Sequence, residues 1–382
     1  LTLPRAGRTT AGMTNPVTLW GLPHSLYTGR VRSYLRKQRI AYVERPPTQP
    51  DFAERILPAV RRAIIPVVEL ADGTIIQDTV DIIDHFEREG TAHGPVPHPA
   101  YPADARLLAL AHLFELYAVD GLTRHAMHYR WSYLEQQGAF LRHAFATGSD
   151  AERAEATMGR MHAYLPMLGV DAATIPAIEE SYCELLAHLD AHFEDYPFLL
   201  GASPSIADYA MFGPLFAHLG RDPVPLAIMQ REAPHVFRWV ERMHAPDLDS
   251  VDYPTPAPEF PDGELPATLA PLLAQIGHEL IPDLTDRLAF LRAYVAEHRP
   301  QGGEPVTDRP HRRVIGTVET SFRGVAYTGG VQPYTFFLWQ RLIAAGQHPA
   351  AKALFAEHQL SDLIDIDLPI RVERRDQIEV WG

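Results

Sequence analysis

The sequence is nearly free of cysteine. Cys183 is the only one in 382 residues. That excludes an intrachain disulfide, a four-thiolate zinc site and a two-cysteine redox motif, and it fits a reducing compartment such as the cytoplasm. Long apolar runs are also missing. No stretch approaches the roughly 20 residues that span a bilayer, so no membrane partner is expected. Residues 1–15 carry Arg5 and Arg8 but no apolar centre; they read as a disordered tail rather than a secretory signal, with Met13 as a natural start. Positive charge is in deficit. The formal net charge is −14, and an acidic surface repels phosphate backbones, so nucleic acid is not an expected partner. The one basic block, residues 30–39, reads as the exposed face of a helix. Internal repeats and low-complexity tracts are absent.

What is present is ordinary globular material. Hydrophobic residues make up 46% of the chain, enough for a sizeable core without covalent staples, and a scale of about 150 residues per domain predicts two or three domains. Residues 17–20 read as a strand, broken by Gly21 and Pro23. Ser25 then precedes a helix with Val31, Tyr34 and Leu35 on one face. Residues 41–44 read as a second strand, parallel to the first because a helix intervenes. A short helical piece over 51–59, a strand over 64–70, the turn Ala71-Asp72-Gly73 and a return strand over 74–76 follow. Asp78 can cap a helix that points Ile82, Ile83 and Phe86 inward. The resulting order is β-α-β-α-β-β-α.

Residues 90–102 form a Gly/Pro/His linker, and only helical patterns follow from 104 to 239. Leu107, Leu110, Ala111 and Phe114 share one face there, as do Tyr182, Leu185, Leu186 and Leu189. A second linker, dense in Pro and Asp, covers 245–266. Beyond it the sequence predicts a helix over 269–295, strands within 314–327, a helix over 334–353 and weak alternation over 370–380.

Four local features stand out, in order. Pro23-His24-Ser25-Leu26-Tyr27-Thr28-Gly29-Arg30-Val31-Arg32 joins the first strand to the first helix. A helix start offers unpaired N–H groups and partial positive charge, which favour an anion. Alone, Ser25 reads as a helix cap. Ile65-Pro66 opens the third strand, where a trans proline at a strand edge is the plain reading. Asp78-Thr79 opens the third helix, again a common cap. Ser203-Pro204-Ser205-Ile206-Ala207-Asp208 places Ser205 and Asp208 at the spacing of a capping box.

In this order and spacing, over roughly residues 17–243, these features resemble the cytosolic glutathione S-transferase family. The resemblance implies α/β plus all-α architecture. A thioredoxin-like glutathione-binding domain takes residues 16–90, an all-helical substrate-pocket domain 103–245, and residues 264–382 are an additional α+β extension without a role in the family pattern. It implies a serine-type site: Ser25, five residues before Arg30, meets the thiol of glutathione, with Tyr27 as the alternative donor. Ile65 and a cis Pro66 would hold the cysteinyl part, Asp78 the γ-glutamyl ammonium, and Thr79 with the helix end its carboxylate. Arg61 or Arg62 could meet the glycine carboxylate, and His24 flanks the site.

His128, Tyr129 and Trp131 fall on a helix that lines the second substrate's pocket in the family, although core packing is the plain reading. His125 and His128 lack further metal ligands, and Cys183 reads as buried packing. The implied activity is glutathione transfer to a small hydrophobic electrophile, or its reduction, with glutathione as co-substrate, no metal, and a homodimer as the assembly. The alternatives are a transferase-fold protein that binds a ligand or a protein without catalysis, and a glutathione-dependent disulfide reductase.

Overall fold

Four short strands make one sheet, and their register sets up everything that follows. The computed structural model describes residues 16–91, 94–248, 250–260, 264–309 and 311–382. β1 (Val17–Trp20) leads to α1 (Leu26–Lys37), β2 (Tyr42–Arg45), a π-helical turn (Phe52–Ile56) running into α2 (Leu57–Val60), then β3 (Val67–Glu69), β4 (Ile75–Gln77) and α3 (Thr79–Glu89). The strand order is β2-β1-β3-β4, with β1 parallel to β2 and the other pairs antiparallel. This is the expected thioredoxin-like arrangement. One core takes Leu19, Val31, Tyr34, Leu35, Val68 and Ile83. A separate cluster takes Trp20, Phe52, Ile56, Val60 and Val67. Each large apolar side chain so buried contributes about 1.5–3 kcal/mol. Trp20 pairs with Val67, and Val67 with Gln77. The end of β1, the start of β3 and the end of β4 therefore emerge side by side.

Helices follow: α4 (Ala105–Leu116), a π-helical turn (Tyr117–Gly121), α5 (Leu122–Trp131), α6 (Leu134–Phe145), α7 (Ala151–His162), α8 (Ile175–Asp195), α9 (Ile206–Ala217), α10 (Pro223–Glu232) and α11 (Pro234–His244). α9 is apolar on nearly all sides and lies at the centre, against α1 and α4. Gly213 permits the approach, since a Cβ there would sit 3.0 Å from the Leu26 carbonyl oxygen. The start of α9 is tied down by Asp208, whose carboxylate accepts from the backbone N–H groups of Leu199 (2.9 Å) and Ser205 (2.9 Å) and from Trp239 Nε1 (3.2 Å).

The basic block of α1 is not the exposed face that its composition predicts. Arg30, Arg32 and Lys37 are all buried, because α1 lies between sheet and bundle and has no free side. Each cation is matched. Arg30 pairs with Glu115 of α4, and Arg32 with Glu44 at 2.6 Å. Lys37 Nζ donates to the carbonyls of Arg242 (2.8 Å) and Asp247 (2.6 Å). Cys183 departs from expectation in the other direction: it is exposed on α8.

The C-terminal segment comprises α12 (Leu269–His298), a hairpin of β5 (Gly316–Phe322) and β6 (Val325–Val331), α13 (Pro333–Gly346), α14 (Pro349–Glu357) and a second hairpin of β7 (Val372–Arg375) and β8 (Ile378–Trp381). The single helix expected over 334–353 is two helices, because Pro349 starts a new one with His348 as its cap. α12 packs on α8, and α13 on α4. The β7–β8 turn reaches the free edge of β4. There the Gln377 side chain accepts from Gln77 N–H (2.8 Å) and donates to Ile75 C=O (3.0 Å), as a neighbouring strand would. Three aspartates, the cap of α3 and two on it, meet this segment: Asp78 with Tyr334, Asp81 with Arg374, and Asp84 with Arg341. Among the described residues no helix is long and apolar enough to cross a membrane.

Buried histidines make this packing pH-dependent. Burial lowers His24 to about 3 and both His125 and His192 to about 4, from 6.5. In the unfolded chain these imidazoles take a proton near the ordinary value, while in the native state they refuse it. Their contribution to stability is complete above pH 6.5 and is lost as the pH falls towards 4. Each can cost up to about 1.4 kcal/mol per pH unit in that window. The urea midpoint should therefore fall steadily between about pH 7 and about pH 5. A flat midpoint would mean that these rings are already solvated.

Candidate functional site

Ser25 caps α1 from extended backbone. Its Oγ accepts from Thr28 N–H at 3.3 Å and its C=O from Gly29 N–H at 2.9 Å. The turn into the helix is tight: a Cβ on Gly21 would sit 2.2 Å from Thr28 Cγ2. Ser25 is half-buried. Among the described residues its hydroxyl proton has no acceptor, and the N–H groups of Leu26 and Tyr27 have none either. The helix tip thus presents an O–H and two amides to one side, a site suited to an anion.

The other two corners meet it at the same sheet end. The Ile65–Pro66 peptide is cis, and the N–H and C=O of half-buried Ile65 have no partner among the described residues. Asp78 has φ 89°, a left-handed conformation that costs a non-glycine residue about 1–3 kcal/mol. Such strain concentrates at functional positions. Asp78 Oδ1 accepts twice, from Val80 N–H (2.9 Å) and from the Tyr334 hydroxyl (2.8 Å). Thr79 is only 2% exposed.

The C-terminal segment claims more of this corner. Arg62 is buried and donates to Glu379 (2.9 and 3.0 Å), to Gln77 Oε1 (2.8 Å) and to the Gln377 carbonyl (3.3 Å). It is therefore withdrawn from the carboxylate-binding part that sequence allowed for it. Arg61 stays exposed, in left-handed backbone at the end of α2, with no ion pair among the described residues. Arg374 donates to Asp81 (2.7 Å) and to Gln77. Burial works against its cation, and Asp78, Asp81 and Glu379 overcome that and hold the guanidinium firmly protonated.

The side chains of the remaining candidates are packed against other elements. Burial raises the Tyr27 phenol, against the Arg313 charge and a hydrogen bond with Thr123. Tyr27 also borders a small cavity of about 10 Å³ with Val119, Thr123 and Pro214, room for a single water. His24 is buried against Phe145, ring centroids 4.3 Å apart, and its carbonyl accepts from Arg130. His128, Tyr129 and Trp131 are 1%, 2% and 3% exposed, so they do not line an open pocket. α5 is enclosed by α8 and α9. His128 bonds Ser132 (2.9 Å) and Glu179 (3.1 Å), Tyr129 stacks on Tyr133, and Trp131 packs on Phe145 and His162. His125 is likewise taken, at 2.7 Å from Ser181 Oγ. Among the described residues no group of three His, Cys, Asp or Glu is placed to hold a metal.

Sequence reasoning missed Tyr334, Arg374 and Gln377. They reach the site from 256 to 302 positions away, and nothing local in their sequence marks them.

Comparison with known proteins assigns the class. Residues 19–92 match the family described as glutathione S-transferase, N-terminal domain, and residues 150–247 match glutathione S-transferase, C-terminal domain. Residues 19–92 and 150–247 thus carry the two domains of the glutathione S-transferase family. No curated protein matches it. Among solved structures it is similar to glutathione transferase GSTFuA3 from Phanerochaete chrysosporium, at 15% identity and a TM-score of 0.43, covering 62% of this chain and 100% of that one. It is also similar to the beta-etherase LigF from Sphingobium sp. strain SYK-6, at 14% identity and a TM-score of 0.45, covering 61% and 96%. FzlA from C. crescentus is a third, at 19% identity and a TM-score of 0.36, covering 64% and 96%. At these scores the likeness bears on neither substrate nor mechanism.

Proposed function

We propose that the Ser25 corner binds glutathione as co-substrate and holds its sulfur as a thiolate for attack on a small hydrophobic electrophile, in the cytoplasm. The observation that carries this reading is the unclaimed Ser25 hydroxyl at the tip of α1, at the same sheet end as Ile65 and Asp78. A free thiol of pKa about 8.5 is mostly protonated at neutral pH. A donor hydroxyl beside helix-end amides favours the charged form and lowers that value. The thiol proton leaves to water, the sulfur lone pair forms the new bond to the electrophile while the leaving group departs with the electron pair of the bond it breaks, and Ser25 stays a donor throughout. Ile65 would pair its free backbone groups with the cysteinyl residue as an added strand does. Arg61 is the exposed cation left for the glycine carboxylate. A homodimer, where one forms, has to use a face other than β4, α3 and α4, which the C-terminal segment already covers.

Titrating bound glutathione by ultraviolet absorbance tests the proposal. A thiolate band that develops at least about one pH unit below that of free glutathione is the expected result. Glutathione binding without that band would favour the non-catalytic alternative, and no binding at all would remove the thiol reading.

A further inference from the structure

The two halves of the candidate site are unequal. On the cysteinyl side the Ser25 hydroxyl, the Leu26 and Tyr27 amides and the Ile65 backbone groups are all unclaimed by the described residues. On the other side less is open: Asp78 Oδ2 and the Thr79 N–H have no partner among the described residues, and the rest is taken. Asp78 Oδ1 is occupied twice, by Val80 N–H and by Tyr334. Thr79 is 2% exposed, and Gln77 beside it 1%. Two buried guanidinium groups, Arg62 and Arg374, meet on Gln77 Oε1 at 2.8 and 3.0 Å. An incoming ammonium would find only Oδ2 open, on a carboxylate whose charge Tyr334 and two fixed cations nearby already draw on. An incoming carboxylate would find the Thr79 hydroxyl almost out of reach. Burial keeps the Tyr334 phenol protonated, so it remains a donor to Asp78 at any neutral pH.

We propose that Tyr334 is the specificity-determining residue of this site: with the β7–β8 hairpin it closes the γ-glutamyl half, so that the thiol is recognised through its cysteinyl-glycine portion. This rests on the thiol-binding reading above. The ligand class is a small thiol with an amide-linked carboxylate. In glutathione the γ-glutamyl group would project from the site without adding affinity. The tyrosine comes from the first turn of α13, a helix that packs on α4, so the restriction is built into the attachment of the C-terminal segment.

Binding of two ligands, glutathione and cysteinylglycine, to three full-length proteins separates the outcomes. The unaltered chain should bind both with dissociation constants within about 3-fold of each other, since the γ-glutamyl group gains no charge-assisted contact. Tyr334→Ala should tighten glutathione by about 10-fold or more, the size of one such contact regained, and leave cysteinylglycine unchanged. Tyr334→Phe keeps the ring packed and removes only the bond to Asp78; it should show part of the same gain, and it decides the matter if the alanine variant does not fold. An unaltered chain that prefers glutathione by about 10-fold or more overturns the proposal. So does a loss, or no gain, of glutathione affinity in Tyr334→Phe, which would make the tyrosine a support that orients Asp78 for the ammonium. If neither ligand binds any of the three proteins, the thiol reading fails first and this proposal falls with it.

Discussion

Ser25→Ala is expected to lower turnover with an aromatic electrophile by about 10-fold or more, the scale of losing one donor aimed at a developing or stabilised anion. Glutathione affinity should change little, because the tripeptide's main-chain contacts lie elsewhere. The pKa of the bound thiol should rise towards its free value, and this readout distinguishes loss of a donor from loss of structure. Ser25 also caps α1 through Thr28 N–H, so its removal costs about 1 kcal/mol of stability as well. Ser25→Thr controls for that, since it keeps both the cap and a hydroxyl and should retain most turnover. Unchanged turnover in Ser25→Ala would shift the role to the helix-end amides or to Tyr27. The surroundings of Tyr27 argue for the amides: its phenol is raised by burial and is hydrogen-bonded with Thr123.

The N-terminal sheet and the bundle were legible because their signals are local. Alternation, Gly and Pro breaks and 3.6-residue periodicity each act within one element, and β1, α1, β3 and α3 form where those signals placed them. Asp208 was legible for the same reason, since a cap and its partner lie three residues apart. Burial was harder to read. Arg30, Arg32 and Lys37 look like a solvated face, and only tertiary partners (Glu115, Glu44 and the carbonyls after α11) make their burial tolerable. His128, Tyr129 and Trp131 could serve a pocket or a core equally well by sequence, and the enclosure of α5 decides for the core. The far corner of the site was not legible at all. Asp78 was identified, but its partner Tyr334 lies 256 positions away, and a hydrogen bond of that span leaves no periodicity. Arg62 illustrates the same limit, because its neighbours in sequence say nothing of Glu379.

Glu279→Ala should cost about 3–5 kcal/mol, the range for stripping one member from a buried charged network. Glu279 is 3% exposed and lies on α12. Its carboxylate accepts from Tyr117 (2.8 Å), Ser181 (2.6 Å), Gln275 (3.0 Å) and Arg323 (2.9 Å). These donors come from the π-helical turn after α4, from α8, from α12 itself and from the β5–β6 turn, so one side chain joins the C-terminal segment to the bundle. Without it, the Tyr117 and Ser181 hydroxyls lose their acceptor, at about 1–3 kcal/mol each before relaxation, while Gln275 keeps the Ser181 carbonyl at 2.9 Å. Arg323 is partly protected, because it also pairs with exposed Glu184 at 2.6 Å. Glu184→Ala should accordingly shift stability by no more than about 0.5 kcal/mol. Glu279→Gln keeps the shape and one acceptor oxygen, and should fall between the two. Urea unfolding of the three variants measures the order directly. A loss below about 1 kcal/mol in Glu279→Ala would mean that the segment docks through apolar contacts alone. The larger loss would instead show that the polar seam fixes where α12 sits, and so where α13 delivers Tyr334 to Asp78.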